Sequence, residues 1–276
     1  MNFAPSHVPM QRWSPAGPLV VGSDAVAVEE PLEIRVAGRS LAVVMRTPGH
    51  DAELAAGFLL TEGVIRRAED VLDLVPCCDQ PGAAAGNVLD VLLAPTVAFD
   101  VARLTRHVFS SSSCGVCGKA TLDAVLQTFR PVVSDTRFDP VIIARLPEQL
   151  RAVQPGFAAT GGLHACALFD PTGKILQVRE DVGRHNALDK ILGRALLDRQ
   201  LPLTQTGLLL SGRISFELVQ KALAAHVPLI AGIGAPSSLA IDCAERGGQT
   251  LIGFLREDRF NIYAGARRLG VTASAT

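Results

Sequence analysis

Two cysteines spaced three positions apart are the residues of this chain best suited to covalent chemistry. Cys114 and Cys117 lie in the segment SSSSCGVCGK, residues 110–119. Apolar residues then recur at helical spacing, at Leu122, Val125, Leu126 and Phe129. The pattern predicts a helix that begins near the cysteines, with a serine as its N-cap. The positive end of a helix dipole and the nearby Lys119 favour the thiolate, so we expect a lowered pKa for Cys114.

Three chemistries use such a pair of thiols. They are dithiol–disulfide exchange, half of a zinc site, and sulfur transfer through a persulfide. Two buried structural cysteines are the remaining interpretation. Gly115 and Gly118 have no side chains that could cover the two sulfurs, so the sequence favours thiols that another molecule can reach over buried structural cysteines. The residues themselves leave the three chemistries open.

The composition excludes several classes of protein. The chain has 276 residues, of which 48% are hydrophobic, enough for a sizeable core. Its 26 Lys and Arg balance 27 Asp and Glu, so we expect no nonspecific binding to nucleic acid or to an anionic membrane. No apolar run approaches the roughly 18 residues of a membrane-spanning helix. Six cysteines without a signal-peptide pattern indicate a reducing cytoplasm.

The hydrophobic pattern divides the chain into a tail and two folded units. Residues 1–18 are rich in proline and polar side chains, and we expect a flexible tail there. Residues 19–105 predict a small α+β domain: a hairpin over 32–45, a helix after His50, and strands over 71–75 and 88–93. Residues 106–276 form the second unit, which carries the CxxC segment.

The second unit is predicted to be an α/β domain. A hairpin over 163–178 is followed by buried apolar strands over 208–210, 228–233 and 250–254, which alternate with helices. This order is typical of parallel βα units, with helices on both faces of the sheet. The predicted fold class is therefore a three-layer α/β/α domain with a mixed sheet.

The carboxyl ends of these strands are the predicted ligand-binding edge. In open α/β sheets, ligands bind beyond those ends. The loops there offer hydroxyls, small residues and three arginines, and both helix N-termini and arginine suit phosphate. We expect a phosphorylated or nucleotide-bearing ligand. The candidate binding residues are Ser211, Gly212, Arg213, Gly234, Phe254, Leu255, Arg256, Glu257, Asp258 and Arg259.

Four further side chains have open roles. His185, at a predicted helix start, suits either ligand binding and acid–base work or helix capping. For His164 a half-buried place on a strand is favoured over metal binding. Cys77 and Cys78 lie in a loop rich in glycine and alanine, where an incidental pair is favoured over metal or redox chemistry.

The order of elements, with CxxC opening a helix, resembles the cytidine deaminase fold. Zinc deaminases require a His-x-Glu motif and a proline before the CxxC. This sequence contains no His-x-Glu, and Ser113 precedes Cys114. The resemblance therefore concerns the fold and not the deaminase chemistry.

Five sequence blocks resemble a different family. They are TPGHD with GFLLTEG over 47–63, CGVCG over 114–118, DVGRHNALDK over 181–190, SGR over 211–213, and FLR with RFNIY over 254–263. All look like the formate dehydrogenase accessory sulfurtransferase family (FdhD type). The similarity runs from about residue 29 to residue 263, nearly the whole chain.

The resemblance implies a sulfur carrier. In that family a cysteine desulfurase loads sulfur onto the CxxC as a persulfide. The protein passes this sulfur to the molybdenum (or tungsten) of a bis-molybdopterin guanine dinucleotide cofactor that is destined for apo-formate dehydrogenase. The persulfide cysteine matches Cys114, its partner matches Cys117, and the cofactor-binding segment matches residues 254–259. The resemblance also implies a homodimer.

Further expectations follow from the implied cofactor. GDP-like or GMP-like moieties are expected ligands, and Glu257 or Asp258 is the expected acceptor for guanine N–H groups. The cofactor is a client, and no permanent metal is expected. The alternatives are a dithiol–disulfide oxidoreductase, a zinc-binding protein using Cys114 and Cys117 with His164 or Cys166, and a cofactor chaperone without sulfur transfer.

Overall fold

The computed structural model describes residues 4–77, 86–98, 122–123, 125–126 and 128–271. The predicted features at Cys78, Cys114 and Cys117 lie outside the described residues. The expected boundary between the two units at residue 106 lies outside them as well, so that division stays a prediction.

The expected N-terminal tail is instead a β-hairpin over most of its length. Strand β1 (Ser6–Ser14) pairs antiparallel with β2 (Gly17–Val26), from Ser6 opposite Val26 to Ser14 opposite Gly17. The polar composition of residues 1–18 does not predict strand β1, because this strand forms through backbone hydrogen bonds to β2 and buries no side chains in the core. The hairpin is almost wholly exposed, including Trp13 at 73%.

The predicted strands and helix of the first unit are confirmed. A four-stranded sheet has the order β4-β3-β6-β5, in which β3 and β6 are parallel and the other neighbours antiparallel. Its buried face, with Leu32, Ile34 and Val91, belongs to the same core as helix α1 (Asp51–Thr61). The four strands are β3 (Glu30–Val36), β4 (Arg39–Arg46), β5 (Val71–Pro76) and β6 (Val88–Leu93).

The second sheet confirms the predicted mixed α/β class. Its order is β12-β11-β10-β9-β7-β8. Strands β9, β10 and β11 are parallel, β7 is antiparallel to both β8 and β9, and β12 is antiparallel to β11. The six strands are β7 (His164–Phe169), β8 (Ile175–Asp181), β9 (Gly207–Leu210), β10 (Leu229–Gly232), β11 (Thr250–Gly253) and β12 (Asn261–Ala264).

Helices cover both faces of this sheet, as the sequence predicts. One face packs against α2 (Pro140–Ala152) through Ile143, Leu146 and Leu150. The opposite face packs against α4 (Arg184–Leu197), α5 (Phe216–Ala224) and α6 (Ser238–Arg246). The other short elements are helix α3 (Pro155–Thr160) and two 3-10 turns, Ala68–Asp70 and Ala266–Leu269.

Helices α1 and α4 lie between the two sheets and pack so closely that their backbones are in contact. A Cβ added to Gly57 of α1 would overlap the carbonyl oxygen of Asp189, and one added to Gly193 of α4 would overlap that of Glu53. Two glycines facing the opposite backbone thus let the helices approach more closely than any side chain permits. One continuous core contains residues of both helices and of both sheets.

Two buried ion pairs lie around the same contact. Lys190 Nζ is 2.6 Å from Asp181 and also donates to the carbonyl of Thr47. Lys221 Nζ is 2.8 Å from Asp189. Both pairs lie within the second unit, and hydrogen bonds connect them to the first: Lys190 to the Thr47 carbonyl, and Lys221 and Asp189 to the Thr61 hydroxyl. A buried charge that loses its partner is costly, so these contacts stabilise the junction. No helix in the described ranges has the length and apolarity to cross a membrane.

Candidate functional site

The helix predicted after the CxxC is confirmed over its described part. Of residues 122–128, all five described ones are helical. Leu122 and Val125 are buried in the main core, and Phe129 is packed against it. The apolar stripe therefore faces the protein as its spacing predicts.

The three predicted edge loops lie side by side. Gly234 N–H donates to the carbonyl of Gly212 at 3.1 Å, and Phe254 N–H donates to the carbonyl of Gly234 at 3.0 Å. A Cβ at Gly234 would lie 2.7 Å from the backbone nitrogen of Arg213, so the loops meet without room for a side chain. The structure thus brings Ser211, Gly212, Arg213 and Gly234 together with the start of the 254–259 segment.

The 254–259 segment divides into anchoring and exposed residues. Leu255 is fully buried, and Arg256 donates to the carbonyls of Ile233 and Leu255, both at 2.8 Å. Phe254 adopts a left-handed φ of 52° and leaves 44% of its surface exposed. Glu257, Asp258 and Arg259 are also exposed. The buried Leu255 and the hydrogen bonds of Arg256 therefore hold the backbone of this segment in place, while its polar side chains are exposed to solvent.

Two shallow grooves border this segment. One, of about 400 Å³, lies between the start of α2 and residues 257–260 and has Arg145 on its wall. The other, of about 320 Å³, is lined by Phe254, Arg256, Arg259 and Asn261. Asp258 pairs with Arg259 at 2.8 Å, whereas Glu257 has no ion-pair partner among the described residues. Glu257 is therefore the freer of the two acidic groups.

His164 lies at the same edge. It begins β7, which runs antiparallel to β9, so its ring sits beside the loop that follows β9. A Cβ at Gly212 would be 3.2 Å from His164 Nδ1, and the Ser211 hydroxyl accepts the N–H of Ala165 at 2.8 Å. Burial, then the charges of Arg184 and Arg213, lower the pKa of His164.

His185 faces the next loop rather than capping its helix. The N-cap of α4 is Gly183, and His185 Nε2 lies 3.3 Å from the Ser215 hydroxyl. Burial lowers the pKa of His185 to about 4, assisted by the positive charges of Arg184 and Lys221. His185 is therefore neutral at neutral pH, and of the two roles left open by the sequence the capping role is wrong.

Three residues beside these histidines are not among the binding residues predicted from the sequence. Arg184 is the first residue of α4, Ser215 precedes α5, and Glu217 lies in the first turn of α5. Burial opposes ionisation of Glu217, but hydrogen bonds from the Ser215 hydroxyl and from its own N–H lower its pKa overall. The available sequence signal for Arg184 is its position beside His185 in the DVGRHN block.

The two buried cysteines of the described residues, Cys166 and Cys243, are poor nucleophiles. Burial raises the pKa of Cys166 far above its usual value and that of Cys243 to about 11. Cys77 is half-buried and lies 3.9 Å from the carbonyl of Val75. No three His, Cys, Asp or Glu side chains converge as a metal site within the described ranges.

This fold and its sequence blocks define a member of the FdhD/NarQ family. The family's sequence model matches residues 27–270, so the chain belongs to that family. The resemblance predicted from the five blocks is thereby confirmed.

Individual members of the family are similar to this chain over nearly its full length. The sulfur carrier protein FdhD of Streptomyces avermitilis is 51% identical over 257 residues, 91% of each chain. The protein of that name from Mycobacterium tuberculosis is 48% identical over 279 residues, 98% of this chain and 100% of its own. The crystal structure of a protein from Desulfotalea psychrophila, assigned as a formate dehydrogenase accessory protein, has a TM-score of 0.76 at 26% identity and covers 96% of this chain.

Proposed function

We propose that this chain is a sulfur carrier that accepts persulfide sulfur from a cysteine desulfurase and delivers it to the molybdenum cofactor of formate dehydrogenase. Relatives that are 48–51% identical over at least 90% of this chain carry the name sulfur carrier protein, and this observation carries the proposal. The CxxC segment supplies thiols that suit such a transfer. The reaction class is that of a sulfurtransferase with a cysteine persulfide intermediate.

The transfer step needs one nucleophilic thiolate. Cys114 attacks the outer sulfur of the desulfurase persulfide, the sulfur–sulfur bond of the donor breaks, and the donor leaves as a thiolate. Cys114 then carries the persulfide, and Cys117, three positions later in the sequence, resolves it or holds a disulfide state. The raised pKa values of Cys166 and Cys243 keep those thiols protonated, which supports assigning the chemistry to the CxxC pair.

The client cofactor is proposed to bind at the sheet edge. Its guanine dinucleotide arms carry pyrophosphates, which suit the close-packed loops around Gly212 and Gly234 and the cation of Arg213. The exposed residues of the 254–259 segment would contact a guanine, and Glu257 is the better acceptor because Asp258 is paired with Arg259. Leu255 would contribute through its backbone alone, since its side chain is buried.

The partners belong to the same proposal. They are a cysteine desulfurase, apo-formate dehydrogenase and a second copy of this chain. The exposed apolar side chains of the β1–β2 hairpin, among them Trp13 and Val21, support a protein contact at that end. A reducing cytoplasm, where Cys114 and Cys117 would stay free thiols, is the proposed location.

Intact-protein mass spectrometry tests the sulfur relay. The chain is incubated with a cysteine desulfurase and cysteine, and wild type is compared with Cys114→Ala, Cys117→Ala and the matched control Cys77→Ser. A gain of about 32 Da, one sulfur atom, that a reductant reverses is expected in wild type and in Cys77→Ser. The gain is expected to be lost in Cys114→Ala. No gain, with a stable Cys114–Cys117 disulfide or bound zinc instead, would support the redox or zinc alternative.

Titration with GDP tests the guanine contact. Glu257→Gln is expected to weaken GDP binding more than Asp258→Asn, because the Asp258 carboxylate is already paired. Unchanged GDP affinity in both variants would remove the acidic residues from the proposed site.

A further inference from the structure

We propose that Arg184, with Arg213, His164, His185 and Ser215, forms a binding site for a phosphate-type oxyanion at the edge of the six-stranded sheet. The proposal adds Arg184 and both histidines to the edge described above. It rests on the proposed function in one respect, since it takes the natural source of the oxyanion to be a phosphate of the nucleotide-bearing cofactor.

An unsatisfied buried donor is the first observation. The Nε of Arg184 is buried and has no hydrogen-bond partner. A buried N–H without an acceptor is costly, and most such groups in proteins are paired. No described carboxylate lies within ion-pair distance of Arg184 or Arg213. An oxygen of a bound anion would supply the missing acceptor.

The charge balance of the surroundings is the second observation. The two nearby aspartates are already used, Asp181 by Lys190 and Asp189 by Lys221. Glu217 remains, and its carboxylate is hydrogen-bonded by Ser215. The half-buried Arg184 and the exposed Arg213 therefore outnumber the one remaining carboxylate, and solvent screens the charge of Arg184 less than that of Arg213. Burial, and after it this positive charge, lowers the pKa of both histidines, and the same positive charge favours a bound anion.

The shape and the donors define the class of anion. The planar fork of arginine matches the oxygens of phosphate. The Ser215 hydroxyl lies beside His185 and makes no capping bond to α5, but it hydrogen-bonds the Glu217 carboxylate, so it donates to an anion only in exchange for that bond. Gly212 has no side chain, which lets the ring of His164 pack directly against this loop. Carboxylate ligands would fill fewer of these donors than a tetrahedral oxyanion.

Isothermal titration of the full chain tests the site with three probes: inorganic phosphate, GDP and guanosine. Phosphate and GDP are expected to compete, whereas guanosine should not displace phosphate. Arg184→Gln should weaken phosphate and GDP binding by about tenfold to a hundredfold, the effect of losing a charged hydrogen-bond donor. The matched control is Arg246→Gln, an exposed arginine of α6 that pairs with Asp123 and should bind as wild type. Arg213→Gln, a substitution of an exposed residue, gives a second test if Arg184→Gln does not fold.

The outcomes separate this inference from the proposed function. Wild-type phosphate affinity in folded Arg184→Gln overturns the inference, and so does GDP binding that phosphate does not compete with. Sulfur loading of Cys114, measured by mass in wild type and in Arg246→Gln, tests the sulfur-carrier proposal separately from anion binding. Phosphate binding without sulfur loading in wild type would refute the sulfur-carrier proposal and leave the anion site standing.

Discussion

Anion binding at the Arg184 site is expected to strengthen as the pH falls. Sulfate is the suitable probe, because it stays a dianion between about pH 8 and about pH 5 and matches the shape of phosphate. His185 has a pKa of about 4 because burial, Arg184 and Lys221 all oppose its protonation, with His164 adding to them and Glu217 opposing them. A bound dianion reverses that bias and raises the pKa of His185. Protonation and sulfate binding then favour each other.

The size of the effect follows from the two pKa values. If sulfate returns the pKa of His185 from about 4 to its ordinary 6.5, the shift is about 2.5 pH units. The corresponding limit is an affinity gain of about 300-fold, of which about 30-fold appears between pH 8 and pH 5. Glu217 contributes little to the change, because its lowered pKa keeps it ionised over most of this range. His164 has the same cationic neighbour in Arg184 and adds in the same direction.

The measurement is sulfate titration calorimetry at several pH values, in two buffers of different ionisation enthalpy. Their difference counts the protons taken up on binding. His185→Gln keeps a polar partner for Ser215 but cannot titrate, so it should retain sulfate binding and lose most of the pH dependence. A sulfate affinity that is flat between pH 8 and pH 5 in wild type would refute the reasoning. A steep dependence that survives in His185→Gln would assign it to His164 instead.

Three predictions concern stability. Gly57→Ala brings a methyl group 2.6 Å from the carbonyl carbon of Asp189, so urea denaturation should show a loss of about 1–3 kcal/mol; an unchanged midpoint would contradict the close contact. Lys221→Met leaves Asp189 buried without its cation and should cost about 3–5 kcal/mol, part of which Asp189→Asn should restore in the double variant. Burial opposes ionisation of Glu53, but Arg179 and His50 outweigh it and lower its pKa to about 2. The stabilisation by Glu53 is therefore complete above about pH 4.5 and is lost as the pH falls towards 2. Arg179→Met should move the midpoint of acid unfolding to higher pH. If wild type and Arg179→Met unfold at the same pH, the Glu53–Arg179 pair does not stabilise the protein in this way.

The parts of the fold that the sequence predicts are those with a strong local signal. The strands of the second sheet are continuous apolar runs, and each appears within a residue or two of its expected place. The edge loops follow because the carboxyl ends of parallel strands share one edge. Helix α2 carries no such signal, because Pro147 lies inside it and a proline ordinarily ends a helix.

The site is less predictable than the fold. Arg184 and His164 are 20 positions apart and meet only because β7 begins at the edge where α4 also begins. The charge balance around Arg184 depends on which aspartates the buried lysines occupy, and that is decided by tertiary packing. A single sequence shows His185 at a helix start, but the Ser215 contact and the neutral state of the ring arise from α5 and its charges.

The contact between α1 and α4 also sets an order of events during synthesis. Thr47 and Asp181 are 134 positions apart, yet the backbone N–H of one is held by the carboxylate of the other. The face of α1 that packs on α4 therefore stays uncovered on the growing chain until the last turn of α4, at Leu197, has left the ribosome. The first sheet can pair its strands early, but its helix has no complete surface to pack on before that point. Native folding of the first unit thus depends on synthesis of the second. A nascent chain that stalls between them exposes the apolar surface of α1, which can aggregate with other proteins.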